Sequence, residues 1–596
     1  MNKIYKVIWN VCRGIHVVTD ENHRVHGKET SSLIVPVELL VMEASLLTLP
    51  LTAVAEALDH AITVDPNWTG TTITSSQDNL HHDISTSYIN GSVAANKFTQ
   101  FRVGEKHLVD MHLPENTNHL VNFVDIKISV NGTVNALKEN KIGGNLYFVS
   151  PQGMIVGKTG VINAGSLTAV ITTDDAYKKY SELSDKKLPL GLGQKEEEAL
   201  ATLQKMQQGE VPLNPVGVIT VNGSINAGNR ITLAASQIHL ESGAKLSNLE
   251  TDFKNLVHIK EGQNIVTKSS VSDTLVTQEA ADGSGDILLL ARSDSSATGS
   301  IAGSVTKQKV EAKIKVANGA SVKSRENVKV SSMAGNGVYD INKSLRPSGY
   351  EQLSAEEKAK KDREIGHFVS DGKHKLLDVS SEIRIDGVIT AAKDLDVNSV
   401  AENRLVKSST TMADLSTGLT LEILGTATPF NEAVYYADLK TSSLINIGKG
   451  ASLSARQNLS LDSVADTKLE AGTSTSLFNL FNTDLTQKVP SIAAIVTLAD
   501  SASTVNVAGS LKAGKDLSIT SADDLTVEAS ATAATKESKA VQTSVLVAKL
   551  KGTSDIDVQS SALLDIVKDA GKVEISSTQN SSVKTESSVV VQDGSY

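Results

Sequence analysis

The chain of 596 residues has one cysteine, Cys12, so it can form no intramolecular disulfide and no thiolate-held zinc or iron–sulfur centre. Aromatic residues make up only 4% and prolines number 11. A wide core needs large rings, whereas small and β-branched side chains can stack inside a narrow coil. Charge is also short of one sign. The balance of 57 Lys+Arg against 68 Asp+Glu gives −11, spread along the chain. Without a basic stripe, nucleic acid is excluded as the main partner. At this length a single compact core is excluded too, and a repeat array is the natural solution.

Motifs that carry chemistry are equally scarce. There is no H-E-x-x-H and no G-x-S-x-G, and Gly191-Leu192-Gly193 lacks the strand and third glycine of a nucleotide loop. His81-His82-Asp83, His107, His112 and His119 are spaced to fit neither a helix face nor a tight metal loop, so surface or turn positions are expected for them and no metal site. Asp282-Gly283-Ser284-Gly285-Asp286 reads as a corner turn, since a calcium repeat needs several in tandem. Right-handed β-helices also host polysaccharide lyases and hydrolases. Here Asp174-Asp175 and Asp523-Asp524 fall in turn-like or inter-strand segments, and few aromatics remain to hold a sugar. The expectation is no enzyme and no cofactor.

What the chain does have is a recurring pattern. VITVNGSINAGNRITLAAS (Val218 to Ser236) returns as KIKVANGASVKSRENVKVSSM (Lys313 to Met333) and EIRIDGVITAAKDLDVNSV (Glu382 to Val400). It returns again as LINIGKGASLSARQNLSLDSV (Leu444 to Val464) and TVNVAGSLKAGKDLSITSA (Thr504 to Ala522). In the last copy the aliphatics are Val505, Val507, Leu511, Ala513, Leu517 and Ile519, with Gly509 at a corner. Apolar alternation with period two puts each set on one face of a strand, and a corner glycine permits φ > 0. The expected fold is all-β, a right-handed parallel β-helix (solenoid) with short helical insertions. The hexapeptide period of a left-handed β-helix is missing. Coils of about twenty residues would make some twenty to twenty-five levels and a rod of roughly 100–120 Å.

Leu146 to Thr172 organises the rest. Apolar runs at Leu146–Val149, Met154–Val156, Val161–Ile162 and Leu167–Ile171 are separated by Ser150-Pro151-Gln152-Gly153, Gly157 to Gly160, and Asn163-Ala164-Gly165. Proline presets φ at the second turn position and glycine relieves the restriction at the last. This run resembles the second signature of the secretion domain in two-partner secretion exoproteins of the filamentous haemagglutinin type. That family reads Asn-Pro-Asn-Gly, an aliphatic residue, then Phe-Gly. Pro151, Gly153 and Gly157 match, while Ser150 and Gln152 replace the asparagines, and Met154, Ile155 and Val156 complete the segment. Phe98 to Val124 resembles the family's earlier framing strand and turn, and Ser129 to Ala136 its glycine-turn coil. The resemblance covers roughly residues 60 to 240.

The N-terminus resembles the extended signal peptide of large secreted proteins, with Asn2 to Asn10 as its signature. The apolar Ser31 to Ala57 ends in small residues that suit signal peptidase after Ala55 or Ala57. Its uncharged runs are too short for a membrane anchor, which needs ~20 residues. The expected domains are therefore a signal peptide at 1–57, a secretion domain at 58–300 with a helical insertion near 177–210, and a repeat region at 301–596. A second helical insertion is expected near 350–368, and the repeats are expected to continue beyond the chain end. The resemblance implies export by the Sec translocon, then passage through a cognate outer-membrane β-barrel transporter with POTRA domains. It further implies a filamentous adhesin or leukotoxin at the surface of a diderm bacterium, meeting a host receptor or glycan. An autotransporter passenger and a β-helix carbohydrate enzyme are the alternatives.

Overall fold

The computed structural model describes residues 5–10, 15–20, 60–182, 196–249, 258–261, 264–267, 285–294, 305–336, 354, 374–411, 431–474, 491–535, 542–567 and 571–591. Two units are distinguished, Met1–Glu56 and Ala57–Tyr596. In the first, Tyr5–Asn10 and Ile15–Asp20 pair antiparallel. Ala55, Ala57, the glycines near 191, the Asp282 turn up to Ser284, and the expected second helical insertion (apart from residue 354) lie outside the described residues.

The second unit is a parallel β-solenoid, because the alternating aliphatics stack on their counterparts one coil away. One column runs Val130, Val156, Val221, Leu240, Val316, Ile385, Ile447, Val507, Val558 through successive parallel registers. Each coil supplies one strand to this ladder, a short strand to a second sheet, and a third strand leading out. Val505, Val507, Leu511, Ala513, Leu517 and Ile519 are all fully buried in the shared core, as the alternation requires.

Coil length differs from the expected twenty residues. Ile385, Ile447 and Val507 are immediate neighbours, so the recurring copies sit on adjacent levels rather than three coils apart. In the second sheet, eleven strands stack in parallel from His81–Thr86 to Leu563–Ile566. At about 4.8 Å per level that stack rises roughly 50 Å, half the expected length. The residues go into longer coils. Strands such as Asn431–Ile447 and Leu459–Ser474 run on past the prism and bury a separate cluster that includes Leu439, Leu469, Ile495 and Leu525.

Between the two cores lies a narrow neck of serines. Ser332, Ser381, Ser399, Ser443, Ser463, Ser503 and Ser521 form a continuous zigzag of hydroxyl contacts at 2.8–3.0 Å. A small side chain lets the two sheets approach, and each buried hydroxyl finds its partner in the next rung. Ser463→Val is expected to take one contact each from the Ser443 and Ser503 hydroxyls, which keep the carbonyls of residues 399 and 463, and to crowd the neck, at about 1–3 kcal/mol in all, lowering the urea midpoint. An unchanged midpoint would show the neck to be merely a spacer.

Gly319, in the Lys313–Met333 copy, has the expected positive φ (+87°), but other corner glycines serve a different purpose. Positive φ is absent at Gly509, but a Cβ there would meet the carbonyl oxygens of Gly448 and Ala451 at 2.5 and 2.7 Å. Gly132, Gly223 and Gly387 meet the same crowding against the coil below. Close stacking of backbones, rather than φ, demands glycine there.

The N-terminal end is closed by antiparallel pieces. Ala61–Val64 pairs antiparallel with Val93–Val103, and Thr71–Ser75 with His81–Thr86. These strands blunt an edge that would otherwise offer unpaired backbone groups.

Candidate functional site

The Ser150–Gly157 corner joins strands Asn145–Ser150 and Met154–Val156. Ser150 is fully buried, and its Oγ accepts from Gln152 N (3.1 Å) while donating to the Ile126 carbonyl (3.0 Å). A hydroxyl that bonds the backbone two residues on does the work of an asparagine in the same place. The Asn214 amide donates to the Pro151 carbonyl at 2.8 Å, tying the corner to the next coil. Gly153 has φ +110°, and a Cβ there would lie 2.8 Å from the Val218 carbonyl oxygen. A Cβ at Gly157 would displace the Asn131 side-chain amide, whose oxygen lies against it. Met154 and Val156 enter the core, Ile155 is half-buried, and only Gln152 is exposed. This is an interior corner with little surface to be read by a partner.

The excursion after Ile171 folds over the same coils. Helix Asp174–Ser181 is capped by Thr173, whose side chain accepts from Ala176 N. Helix Glu196–Gln207 matches the expected insertion, burying Ala199, Leu203 and Met206, with Leu200 only partly buried. Its face packs on Phe123, Tyr147, Val170 and Trp68. Glu196 accepts from Ser92 N and Oγ, and Gln207 donates to the Tyr147 hydroxyl at 2.8 Å. His119 Nδ1 shares that hydroxyl at 3.0 Å. Burial lowers the His119 pKa to about 4, with Glu196 opposing and Lys138 assisting. A depressed histidine pKa stabilises the fold fully above the unfolded value near 6.5, and that contribution is lost as pH falls towards 4. Acidification across this window is expected to cost on the order of 3 kcal/mol at most. His119→Gln should flatten the dependence of the urea midpoint on pH. A slope identical to wild type would remove His119 from the account.

At the cap the histidines expected in turns are instead brought onto strands or beside them. His60, His82 and His107 stack, with His60 4.0 Å from each of the other rings, and His82 Nε2 lies 3.0 Å from His107 Nδ1. On the opposite face of the same strand, His81 Nε2 lies 2.9 Å from Asp110 Oδ2, and His112 Nε2 lies 2.8 Å from Asp83 Oδ1. Behind Asp110 runs a file of amides. Asn135 donates to Asp110 Oδ1 (2.9 Å), Asn163 to Asn135 (2.8 Å) and Asn226 to Asn163 (3.0 Å). Every donor points toward the carboxylate, so the file polarises in one direction. Asp174 and Asp175 occupy the first turn of their helix. Asp523 is buried at the outer end of the serine neck and bonded by Ser501, with its pKa raised by burial, while Asp524 is exposed. These acidic pairs converge on no common cleft.

Residues 1–48 match the family described as the extended signal peptide of type V secretion systems. Among solved structures, the chain is similar to the HMW1 secretion domain from Haemophilus influenzae, at 11% identity and a TM-score of 0.27, over 87% of this chain and 100% of that one. No curated protein matches the sequence. Signal peptide and fold together define the class: a type V secreted protein whose body is a parallel β-solenoid. Such a protein passes through the periplasm to the surface or exterior of a diderm bacterium, and type V export implies an outer-membrane transporter. The resemblance of Leu146 to Thr172 to two-partner exoproteins agrees with that class.

Proposed function

We propose that the chain belongs to a two-partner secretion exoprotein. Its first coils (about 58–300) form the module that engages a separate outer-membrane β-barrel transporter and nucleates folding outside. The observation that carries this reading is the order of parts: an extended signal peptide at 1–48, then a solenoid whose first coils are capped and covered by a helix. Folding that starts at a capped end can draw the chain outward without ATP, since each new coil finds its template already formed. The remaining coils would present an adhesive or toxic surface to a host receptor or glycan, and the chain itself is read as non-enzymatic.

The test is expression in a diderm host with and without a partner transporter carrying POTRA domains. Periplasmic retention without the partner, and release with it, is the expected result. Release without any partner would favour the autotransporter reading. Turnover of an acidic polysaccharide would favour the enzyme.

A further inference from the structure

Two groups of side chains in the cap bring three or more metal-ligating atoms together, and their geometries differ. In the first, His60 stacks on His82 and His107 with interplanar angles of 12° and 6°. A metal ion binds in the plane of each imidazole, along the nitrogen lone pair. Parallel stacked rings 4.0 Å apart share no common point in their planes, so this trio is a packing arrangement.

The second group is different. His81 and Asp83 alternate onto one face of strand His81–Thr86, and Asp110 and His112 onto the same face of the neighbouring strand, Leu108–His112. Parallel pairing sets Asp83 directly beside Asp110. Two carboxylates on adjacent rungs repel unless something positive lies between them. His81 Nε2 lies 2.9 Å from Asp110 Oδ2 and 3.8 Å from Asp83 Oδ1, and the donor atoms of these three residues fall within 4.8 Å of one another, while His112 Nε2 reaches Asp83 Oδ1 alone, at 2.8 Å. A tetrahedral ion with bonds of about 2.0–2.1 Å holds its ligands roughly 3.3 Å apart, between the two separations from His81 Nε2.

We infer that His81, Asp83 and Asp110 form a binding site for a divalent transition cation of the zinc class, with His112 steadying Asp83 from outside. One imidazole and two carboxylates supply three donors and two negative charges, without thiolates, and leave a fourth position for water, which suits zinc over copper(I) or calcium. Asn135 holds the second oxygen of Asp110, the kind of outer partner that fixes a ligating carboxylate. The His81 and Asp110 side chains are nearly buried, at 4% and 5% exposure, while Asp83 and His112 are open at 38% and 33%, leaving an entry path. The ion would clip the capping strand to the first full coil.

The experiment uses the full chain, stripped with a chelator and titrated with Zn²⁺ by calorimetry and with Co²⁺ by visible absorption. One equivalent bound, a Co²⁺ band of tetrahedral intensity and a higher Tm with Zn²⁺ are expected. Asp83→Asn and His81→Gln should abolish the Co²⁺ band while keeping the β-rich circular dichroism, and Asn135→Ala and His112→Gln should each weaken affinity about 10- to 100-fold. His60→Gln should bind as wild type. No stoichiometric uptake by the wild-type chain overturns the inference. So does loss of binding in His60→Gln with retention in Asp83→Asn, which would place any ion at the stacked trio.

Discussion

Val507→Asp is expected to unravel the coils around it. Val507 is fully buried, sits between Ile447 and Val558 in its column, and has core side chains from the other two faces around it. A carboxylate there has no partner, so burial costs several kcal/mol, and the valine's own apolar contribution of about 1.5–3 kcal/mol is lost as well. In a repeat array the loss falls on neighbouring coils first, so melting should broaden or split as well as shift. Lys515→Asp, in the exposed turn of the same coil, should stay within about 0.5 kcal/mol of wild type. Equal shifts from the two substitutions, measured by thermal denaturation of the chain, would refute the inward and outward assignment.

Gly153→Val combined with Pro151→Ala should hold the protein in the periplasm when a cognate transporter is present. The backbone at Gly153 lies at φ +110°, where a β-branched residue is strained by about 1–3 kcal/mol. The new Cβ would also stand 2.8 Å from the Val218 carbonyl oxygen, which belongs to the next coil's backbone and cannot swing aside. Pro151→Ala adds freedom to the unfolded corner while leaving its carbonyl for Asn214. Gly509→Val is the comparison. It too crowds carbonyl oxygens, those of Gly448 and Ala451, but far along the solenoid from the capped end. It should lower thermal stability and still permit export. Fractionation that finds the Gly153 variant outside in normal amounts would leave this stretch a plain corner and remove the main support for a secretion module at 58–300.

Much of the fold was legible because solenoid coils repeat a local rule. Period-two aliphatics at Val505, Val507, Leu517 and Ile519 reveal which face is buried without reference to any partner strand. The helix at Glu196–Gln207 was legible for the same reason, since its pattern is local. The His81–Asp110 and Asp83–His112 pairs were not read, although a signal existed. His81-x-Asp83 and Asp110-x-His112 are reversed copies of each other, and parallel register crosses them into contact across a separation of 29 residues in both pairs. Neither half means anything until the register is known.

The sequence alone determined the class of fold, the buried face of the repeating strands and the position of the corners, because each follows from neighbours a few residues apart, while the type of N-terminal signal came from resemblance. Coil length was decided only by tertiary structure: a repeat spacing near sixty residues does not say whether three short coils or one long coil intervenes. The answer lies in strands long enough to leave the prism and bury a second core around Leu439 and Leu469. The reason for glycine at Gly509 was likewise decided by the backbone of the coil beneath, which local conformational preference cannot see.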